Sequence, residues 1–238
     1  MAIRGVIFDY GMVLSNAQDP AAHQRLLEIT GLERGIFEEH YWRYRLAYDL
    51  GEMNGVEYWR KILSDTGVER TPGQVEELVE QDVLMWATLN EEMLAWVAAL
   101  QDRGMRTAIL SNMGEEMMQY AQQEFAWLQH FTHHTFSCEL KIAKPDPAIY
   151  RYTCEKMGVA PGEALFIDDR PANVEAAQRV GLHGVQFRNV PQLRLELEKR
   201  NLLPGWPLPG DPRVAQERVA ATDVDGMGSC STISTLKP

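Results

Sequence analysis

Five side chains that could carry out phosphoryl transfer each follow a short apolar run in this 238-residue chain. They are Asp9, Ser111, Lys144, Asp168 and Asp169. An aspartate can accept a phosphoryl group as an aspartyl phosphate, which divides one difficult displacement into two easier ones. A hydroxyl and a cation would contact the phosphoryl oxygens, and two adjacent acids favour a magnesium ion, which prefers oxygen ligands. The sequence therefore predicts a magnesium-dependent phosphoryl-transfer site.

The predicted strands explain why these residues should meet. Short apolar runs predict buried strands at 6–8, 107–110 and 164–167. The residues directly after these runs are Asp9, Ser111 and Asp168. The carboxyl ends of parallel strands face one crevice, where ligands bind in open α/β sheets. We therefore expect side chains that are distant in sequence to converge on one rim.

Each of these residues alone has an ordinary structural explanation. An acid after a strand often caps the next helix, and a serine there is usually a turn residue. Lys144 precedes a Pro-Asp-Pro sequence, where a lysine is commonly a solvated loop cation, and Lys141 is a competing cation three residues earlier. Asn173 could orient the Asp168 loop or cap the following helix. It is the combination of these residues that favours a site.

Composition limits the classes of partner. The formal charge of −11 argues against a broad nucleic-acid surface, which needs clustered lysines and arginines. The three cysteines form no CxxC pair, which fits reduced thiols better than a disulfide framework. No basic leader and no run of roughly 20 apolar residues is present in the sequence. We expect a cytoplasmic monomer or homodimer that acts on a small phosphorylated metabolite, with no nucleic-acid or membrane partner.

The interval between the first two predicted strands is too long for a simple crossover, which indicates an insertion. Helices are predicted there at 20–30, 35–49, 56–65 and 72–88. Thr71 and Gln74 form a capping box before the last of them. We expect a helical cap over 16–89 and a core formed by 1–15 and 90–202. The Pro- and Gly-rich residues from 203 to 238 are expected to form a flexible extension, with a short helix near 214–221.

After the insertion, predicted strands and helices alternate along the chain. Helices are predicted at 91–101, 115–127, 147–157, 171–180 and 190–200, and further strands at 134–137 and 184–187. This alternation predicts an α/β fold with a Rossmann-like parallel sheet flanked by helices.

Four motifs, in this order and spacing, resemble the haloacid dehalogenase-like (HAD) superfamily over residues 1 to about 200. They are VIFDYGMVL, AILSN, LKIAKPDPAIY and FIDDRPANVEAAQRVG. The last two are similar to the subfamily IA, variant 3 hydrolases. That group includes sugar-phosphate phosphatases and the N-terminal phosphatase domain of soluble epoxide hydrolase. The insertion resembles the helical C1 cap of the superfamily.

The resemblance implies a role for each motif residue. It implies Asp9 as the nucleophile, with the Gly11 carbonyl and Asp169 as direct Mg²⁺ ligands and Asp168 as a further acid of the metal site. The residues that it assigns to phosphate contacts are Ser111, Asn112 and Lys144. The expected function is hydrolysis of a small phosphomonoester, with a sugar phosphate as a candidate.

One position departs from the family pattern. Family phosphatases usually have a second Asp two residues after the nucleophile, which acts as a general acid and base, whereas this chain has Gly11. Such a group typically contributes a factor of about 10² to 10⁴ in rate. The chain could hydrolyse esters with good leaving groups, use another proton donor, or be an inactive phosphate-binding or regulatory module.

A haloacid dehalogenase is the rival enzymatic interpretation. It uses the same aspartate to displace halide from carbon and needs neither the second Asp nor magnesium, so Gly11 suits it. Such dehalogenases generally lack an acidic pair like Asp168 and Asp169.

Residues of the cap should set the choice of substrate, because a cap closes over the crevice. Arg43 or Arg45 could bind a second anionic group, and the rings of Trp42, Tyr48 and Trp59 could stack on a sugar. The alternative is that Trp59 belongs to the cap core and that the arginines are solvated.

Overall fold

A five-stranded parallel sheet forms the centre of the protein in the computed structural model, which describes residues 2–211. The strands are β1 (Gly5–Phe8), β2 (Arg106–Ser111), β3 (His133–Phe136), β4 (Ala164–Asp168) and β5 (His183–Gln186). Their order is β3-β2-β1-β4-β5, and every neighbouring pair is parallel. The predicted α/β fold with a Rossmann-like parallel sheet is confirmed.

The register of the central strands places their carboxyl ends side by side. Phe8 at the end of β1 pairs with Ile109 of β2 on one side and with Ile167 of β4 on the other. Asp9 therefore emerges between Ser111 and Asp168.

The first five α-helices after β1 in the chain form a separate group, which we call the helical insert. They are α1 (Pro20–Thr30), α2 (Arg34–Arg43), α3 (Arg45–Asp49), α4 (Gly55–Thr66) and α5 (Pro72–Met85). The capping box of Thr71 and Gln74 is present at the start of α5. The sequence predicts one helix over 35–49, but the structure has two helices that meet at Tyr44.

The helical insert has an apolar core of its own, separate from the sheet. Its aromatic side chains stack edge-on and face-on around Tyr41, Tyr58 and Trp59, which are all fully buried. Trp59 is thus a structural residue of the insert.

The remaining helices cover the two faces of the sheet. They are α6 (Glu91–Asp102), α7 (Glu115–Glu124), α8 (Ser137–Leu140), α9 (Pro147–Met157), α10 (Pro171–Val180) and α11 (Val190–Lys199). Alternate strand residues enter opposite cores: Phe8 and Ile167 pack on one face, and Ile7 and Phe166 on the other. Burial on both faces explains why these strands are continuous apolar runs.

Residues 203–211 pack against the core, which corrects the prediction of a flexible extension for this part. Leu203 is buried, and the Trp96 Nε1–H donates to the Pro207 carbonyl at 2.8 Å. Proline and glycine disfavour regular secondary structure, but they do not prevent an apolar segment from being buried. The predicted helix near 214–221 lies outside the described residues. Within 2–211, no helix is both long and apolar enough to cross a membrane.

Candidate active site

Asp9 is held in place by the backbone around it. Its N–H donates to the Ile167 carbonyl at 2.9 Å, and its Oδ1 accepts from the Tyr10 N–H at 2.7 Å. The chain then makes a wide turn, closed by the Ser15 N–H donating to the Tyr10 carbonyl at 2.8 Å, with Met12 in the left-handed region at φ 61°. The carboxylate is thus fixed at the carboxyl edge of the central strand.

Lys144 bridges two of the predicted acids. Its Nζ lies 2.8 Å from Asp9 Oδ1 and 2.7 Å from Asp168 Oδ2, and the side chain is almost wholly buried. Asn112 fixes the backbone of Lys144, since its Oδ1 accepts from the Lys144 N–H at 2.8 Å and its Nδ2 donates to the Lys144 carbonyl at 3.0 Å. The competing cation Lys141 instead donates to the Gly51 carbonyl, outside this cluster.

Asp168 is oriented by the loop that follows β4. Its Oδ1 accepts from the Arg170 N–H at 2.8 Å, and both of its carboxylate oxygens accept from Asn173 Nδ2, at 3.0 and 3.1 Å. Of the two roles considered for Asn173, the structure therefore shows the orienting contact with Asp168.

Carboxylate oxygens of Asp9, Asp168 and Asp169 lie within 4.8 Å of one another. The cluster has three acids and one lysine, which contacts two of them, so it carries an excess of negative charge when all four groups are ionised. Oxygen ligands at this separation suit a hard divalent cation such as Mg²⁺. The donor set therefore fits the predicted metal, and Gly11 lies on the wall of the same cavity.

The pKa values follow from this crowding. Burial raises the pKa of Asp9 to about 8; Lys144 opposes the rise, and Asp168 adds to it. Burial would also raise the pKa of Asp168, but the charge of Lys144 and the hydrogen bonds from Lys144 and the Arg170 N–H together hold that pKa below its ordinary value. Burial and the adjacent Asp168 raise the pKa of Asp169. A divalent cation here would favour the ionised form of all three acids.

A cavity of about 340 Å³ opens above these acids, within the range of small-molecule sites. Asp9, Ser111, Asn112, Lys144 and Asp169 line its core side. The structure thus brings to one cavity residues that the sequence predicts to converge.

The opposite wall comes from the helical insert and includes Trp42 and Arg45. The Arg170 guanidinium lies 5.7 Å from the centre of the Trp42 ring and so joins core and insert across the cavity. Tyr48 is buried, and Arg43 is half-exposed, pairs with Glu39 at 2.5 Å and does not line the cavity. The expectation that Arg43 contacts substrate is not supported by this position.

Arg45 is engaged by two acids of the insert. Its Nε donates to Asp49 Oδ1 at 2.9 Å, and its Nη1 donates to both carboxylate oxygens of Asp82 at 3.1 Å. Nη1 also donates to the Tyr41 hydroxyl at 2.5 Å. Burial raises the pKa of Asp49, and Arg45 opposes that rise.

Several residues of the cavity have no counterpart among the predicted site residues. They are Tyr10, Asp49, Trp86 and Arg170. One signal was present, because Asp49 follows Arg45 by four residues, the spacing of a helical ion pair. The placement of Tyr10, Trp86 and Arg170 at the cavity depends on how the helical insert packs over the sheet.

Gly11, at the position of the missing acid, has room for a side chain. A Cβ atom there would lie 3.8 Å from its nearest neighbour, the Trp86 ring, and φ is −60°. Neither packing nor the backbone therefore requires a glycine at this position.

The comparisons with known proteins establish the family. The haloacid dehalogenase-like hydrolase family matches residues 4–181, and the chain belongs to this family. Bifunctional epoxide hydrolase 2 of Mus musculus is 30% identical over 227 residues, which cover 88% of this chain and 41% of that protein. The chain thus spans about two-fifths of that relative's length.

The matches to two further proteins cover nearly the whole length of those proteins. (S)-2-haloacid dehalogenase 4A of Burkholderia cepacia is 27% identical over 230 residues, covering 87% of this chain and 95% of that protein. A HAD family enzyme of Bacteroides thetaiotaomicron, solved in complex with magnesium and inorganic phosphate, has a TM-score of 0.63. It is 21% identical, with 79% of this chain and 95% of that chain covered, and it shows a shared fold.

Proposed function

We propose that this protein is a magnesium-dependent phosphatase that hydrolyses a small phosphomonoester through an aspartyl phosphate at Asp9. The cluster of Asp9, Asp168 and Asp169 carries this proposal, because their oxygens lie within 4.8 Å of one another beside a buried lysine. A carboxylate that attacks a phosphate dianion meets strong repulsion, which a site with a divalent cation and Lys144 reduces.

The reaction takes place in two displacements. An Asp9 carboxylate oxygen attacks phosphorus, and the bond from phosphorus to the ester oxygen breaks, so that the alkoxide leaves with the electron pair and takes a proton from water. A water molecule then attacks phosphorus and loses a proton to solvent, the bond to Asp9 breaks, and inorganic phosphate and the free carboxylate result. A bound Mg²⁺ supplies charge neutralisation at the phosphoryl oxygens.

Residues of the chain position the phosphoryl group. Lys144, held between Asp9 and Asp168, offsets charge on the attacking and equatorial oxygens. Among residues 2–211, the Ser111 hydroxyl donates only over a long distance of 3.5 Å, to the Asn112 carbonyl, so it is available to donate to the phosphoryl group. At Gly11 no acid can protonate the leaving oxygen, which favours esters whose alcohols leave readily or gain their proton from water.

One solved structure of the same fold supports this assignment: the Bacteroides thetaiotaomicron enzyme was solved in complex with magnesium and inorganic phosphate. In this chain, oxygen ligands for such an ion lie at the carboxyl ends of β1 and β4.

A second candidate function is the hydrolysis of a haloacid. Gly11 favours it, because displacement of halide from carbon needs no acid at this position, and the Burkholderia cepacia dehalogenase matches over 95% of its own length. The acids Asp168 and Asp169 count against it, since release of a halide from a neutral carbon centre gives a metal-binding acidic cluster no role.

One pair of assays separates the candidates. Phosphate release from p-nitrophenyl phosphate and chloride release from chloropropionate are measured with and without Mg²⁺, for the wild type and Asp9→Asn. We expect magnesium-dependent phosphate release that the substitution abolishes. Chloride release that does not depend on Mg²⁺ would instead establish the dehalogenase function. Binding of phosphate without either turnover would indicate the inactive module. Equal melting temperatures would show that Asp9→Asn keeps the fold.

A further inference from the structure

The insert side of the cavity carries a buried carboxylate with one unused oxygen. Asp49 lines the cavity and is only 8% exposed. Its Oδ1 accepts from Arg45 Nε at 2.9 Å, while no hydrogen bond to Oδ2 is found among residues 2–211. This oxygen is not among the buried polar atoms of residues 2–211 that lack a partner, so it is open to the cavity, where a donor on a ligand can reach it.

The segment around Asp49 is hydrogen-bonded to residues of the core. Its carbonyl accepts from the Ser137 hydroxyl at 2.5 Å, and the Gly51 carbonyl accepts from Lys141 Nζ at 2.8 Å. Further along the same segment, the Gly55 N–H donates to Glu116 Oε1 at 2.5 Å. Three core side chains therefore fix the position of Asp49 relative to the sheet.

Close packing at α7 reinforces this junction. The Tyr48 hydroxyl donates to Glu116 Oε2 at 2.9 Å, and its ring lies over Gly114. A Cβ atom on Gly114 would come within 2.4 Å of that ring, so only glycine allows this approach. Tyr48, the residue before Asp49, is thus packed directly on the core. The position of Asp49 Oδ2 is therefore fixed before a ligand binds.

The charges around Asp49 select the kind of donor. Arg45 is shared between Asp49 and Asp82, so it has no positive charge to spare for a second anionic group, contrary to one expectation from the sequence. Arg170, from the core side of the cavity, adds one positive charge that acts on the Asp49 carboxylate. The negative charges of Asp49 and Asp82 balance the positive charges of Arg45 and Arg170. A site without net charge suits a neutral hydroxyl better than a carboxylate or an ammonium group.

We propose that Asp49 Oδ2 accepts a hydrogen bond from a hydroxyl of the leaving alcohol, so that the substrates are phosphate esters of polyols or sugars. This inference rests on the phosphatase function proposed above. Arg45 is then a positioning residue, because it holds the other oxygen of Asp49 and does not itself contact the substrate.

Matched pairs of esters test the inference. Glycerol phosphate is compared with propyl phosphate, and glucose phosphorylated at its exocyclic carbon with cyclohexylmethyl phosphate. Each is measured as a competitive inhibitor of p-nitrophenyl phosphate hydrolysis. The hydroxylated member of at least one pair should bind more tightly to the wild type. Asp49→Ala should lower that selectivity about 10- to 100-fold, the value of a hydrogen bond to a charged group.

Asp82→Asn is the matched control. It also removes a charged partner of Arg45, but Asp82 does not line the cavity, so the selectivity between the paired esters should stay at the wild-type value. Asp49→Asn serves if the alanine variant fails to fold, because its side-chain oxygen still accepts from Arg45; it should lower the selectivity by a smaller factor.

Three results would overturn the inference. They are unchanged selectivity in a folded Asp49 variant, an equal loss in Asp82→Asn, and a stronger preference for aminoethyl over ethyl phosphate than for any hydroxylated ester. If the proposed phosphatase function is wrong, the result is different: the wild type with Mg²⁺ releases no phosphate from p-nitrophenyl phosphate. That result would overturn this inference as well.

Discussion

Two buried clusters of similar make-up face each other across the cavity. In the core, Lys144 lies between Asp9 and Asp168; in the helical insert, Arg45 lies between Asp49 and Asp82. The core cluster has a further acid, Asp169, within 4.8 Å of the other two carboxylates, whereas within residues 2–211 Arg45 forms salt bridges with Asp49 and Asp82 alone.

The difference lies in how each cation is used. Lysine is a compact charge that leaves most of each carboxylate free, and the third acid of the core makes a divalent cation favourable. Arginine spreads several donors in a plane and so binds both acids of the insert and the Tyr41 hydroxyl at once. We therefore expect chemistry in the core cluster and orientation of the substrate by Asp49 of the insert cluster.

Removal of each cation tests this contrast most strongly. Lys144→Met should lower kcat about 10²- to 10³-fold, because the charge beside the attacking carboxylate is lost. Arg45→Met should lower kcat about tenfold or less, since Arg45 is predicted to act only through Asp49. Both variants should lose about 3 to 5 kcal/mol of unfolding free energy, because each leaves buried carboxylates unpaired.

Phosphate release and urea unfolding measure these two effects separately. An Arg45→Met variant that keeps its stability but loses as much kcat as Lys144→Met would contradict the division of roles.

Removal of an acid from each cluster gives the next largest effect. Asp169→Asn should raise the Mg²⁺ concentration for half-maximal activity at least about tenfold, because a charged oxygen ligand is replaced by a neutral one. Asp82→Asn removes a more deeply buried charge from the insert and should leave that concentration unchanged. Magnesium titration of phosphate release measures both. A similar shift in the two variants would show that the metal does not bind at the core cluster.

Addition of the missing acid should have a smaller effect, and in the opposite direction. Gly11→Asp has space beside Trp86 and an ordinary φ, and it should raise kcat for alkyl phosphates about tenfold, below the full value of a well-placed general acid. Gly11→Asn has the same shape but cannot donate a carboxylic proton, so it should give no gain. Equal gains in both variants would attribute the effect to packing.

Much of the sheet could be predicted because local signals agree with the tertiary structure. The apolar runs before Asp9 and Asp168 are buried on both faces, and Pro147 and Pro171 begin helices that end at Gly158 and Gly181, as predicted. Convergence of the motif residues then follows from the parallel order of the strands.

The insert could be predicted only as a set of helices. The break at Tyr44 has no proline or glycine to mark it, so the sequence indicates one continuous helix. Arg45 in α3 contacts Asp82 in α5, which lies 37 positions later in the chain. No local sequence pattern predicts that contact. For this reason the sequence did not predict the ion pair of Arg45 with Asp82, and Asp49 was missed.

The central claim is that Asp9 accepts the phosphoryl group. The most direct test is to quench the protein with acid during turnover of p-nitrophenyl phosphate with Mg²⁺, then examine its peptides by mass spectrometry. We predict a phosphoryl adduct on the peptide that contains Asp9, lost on treatment with hydroxylamine and absent from Asp9→Asn. Magnesium-dependent phosphate release that persists in Asp9→Asn, with no adduct in the wild type, would contradict the account.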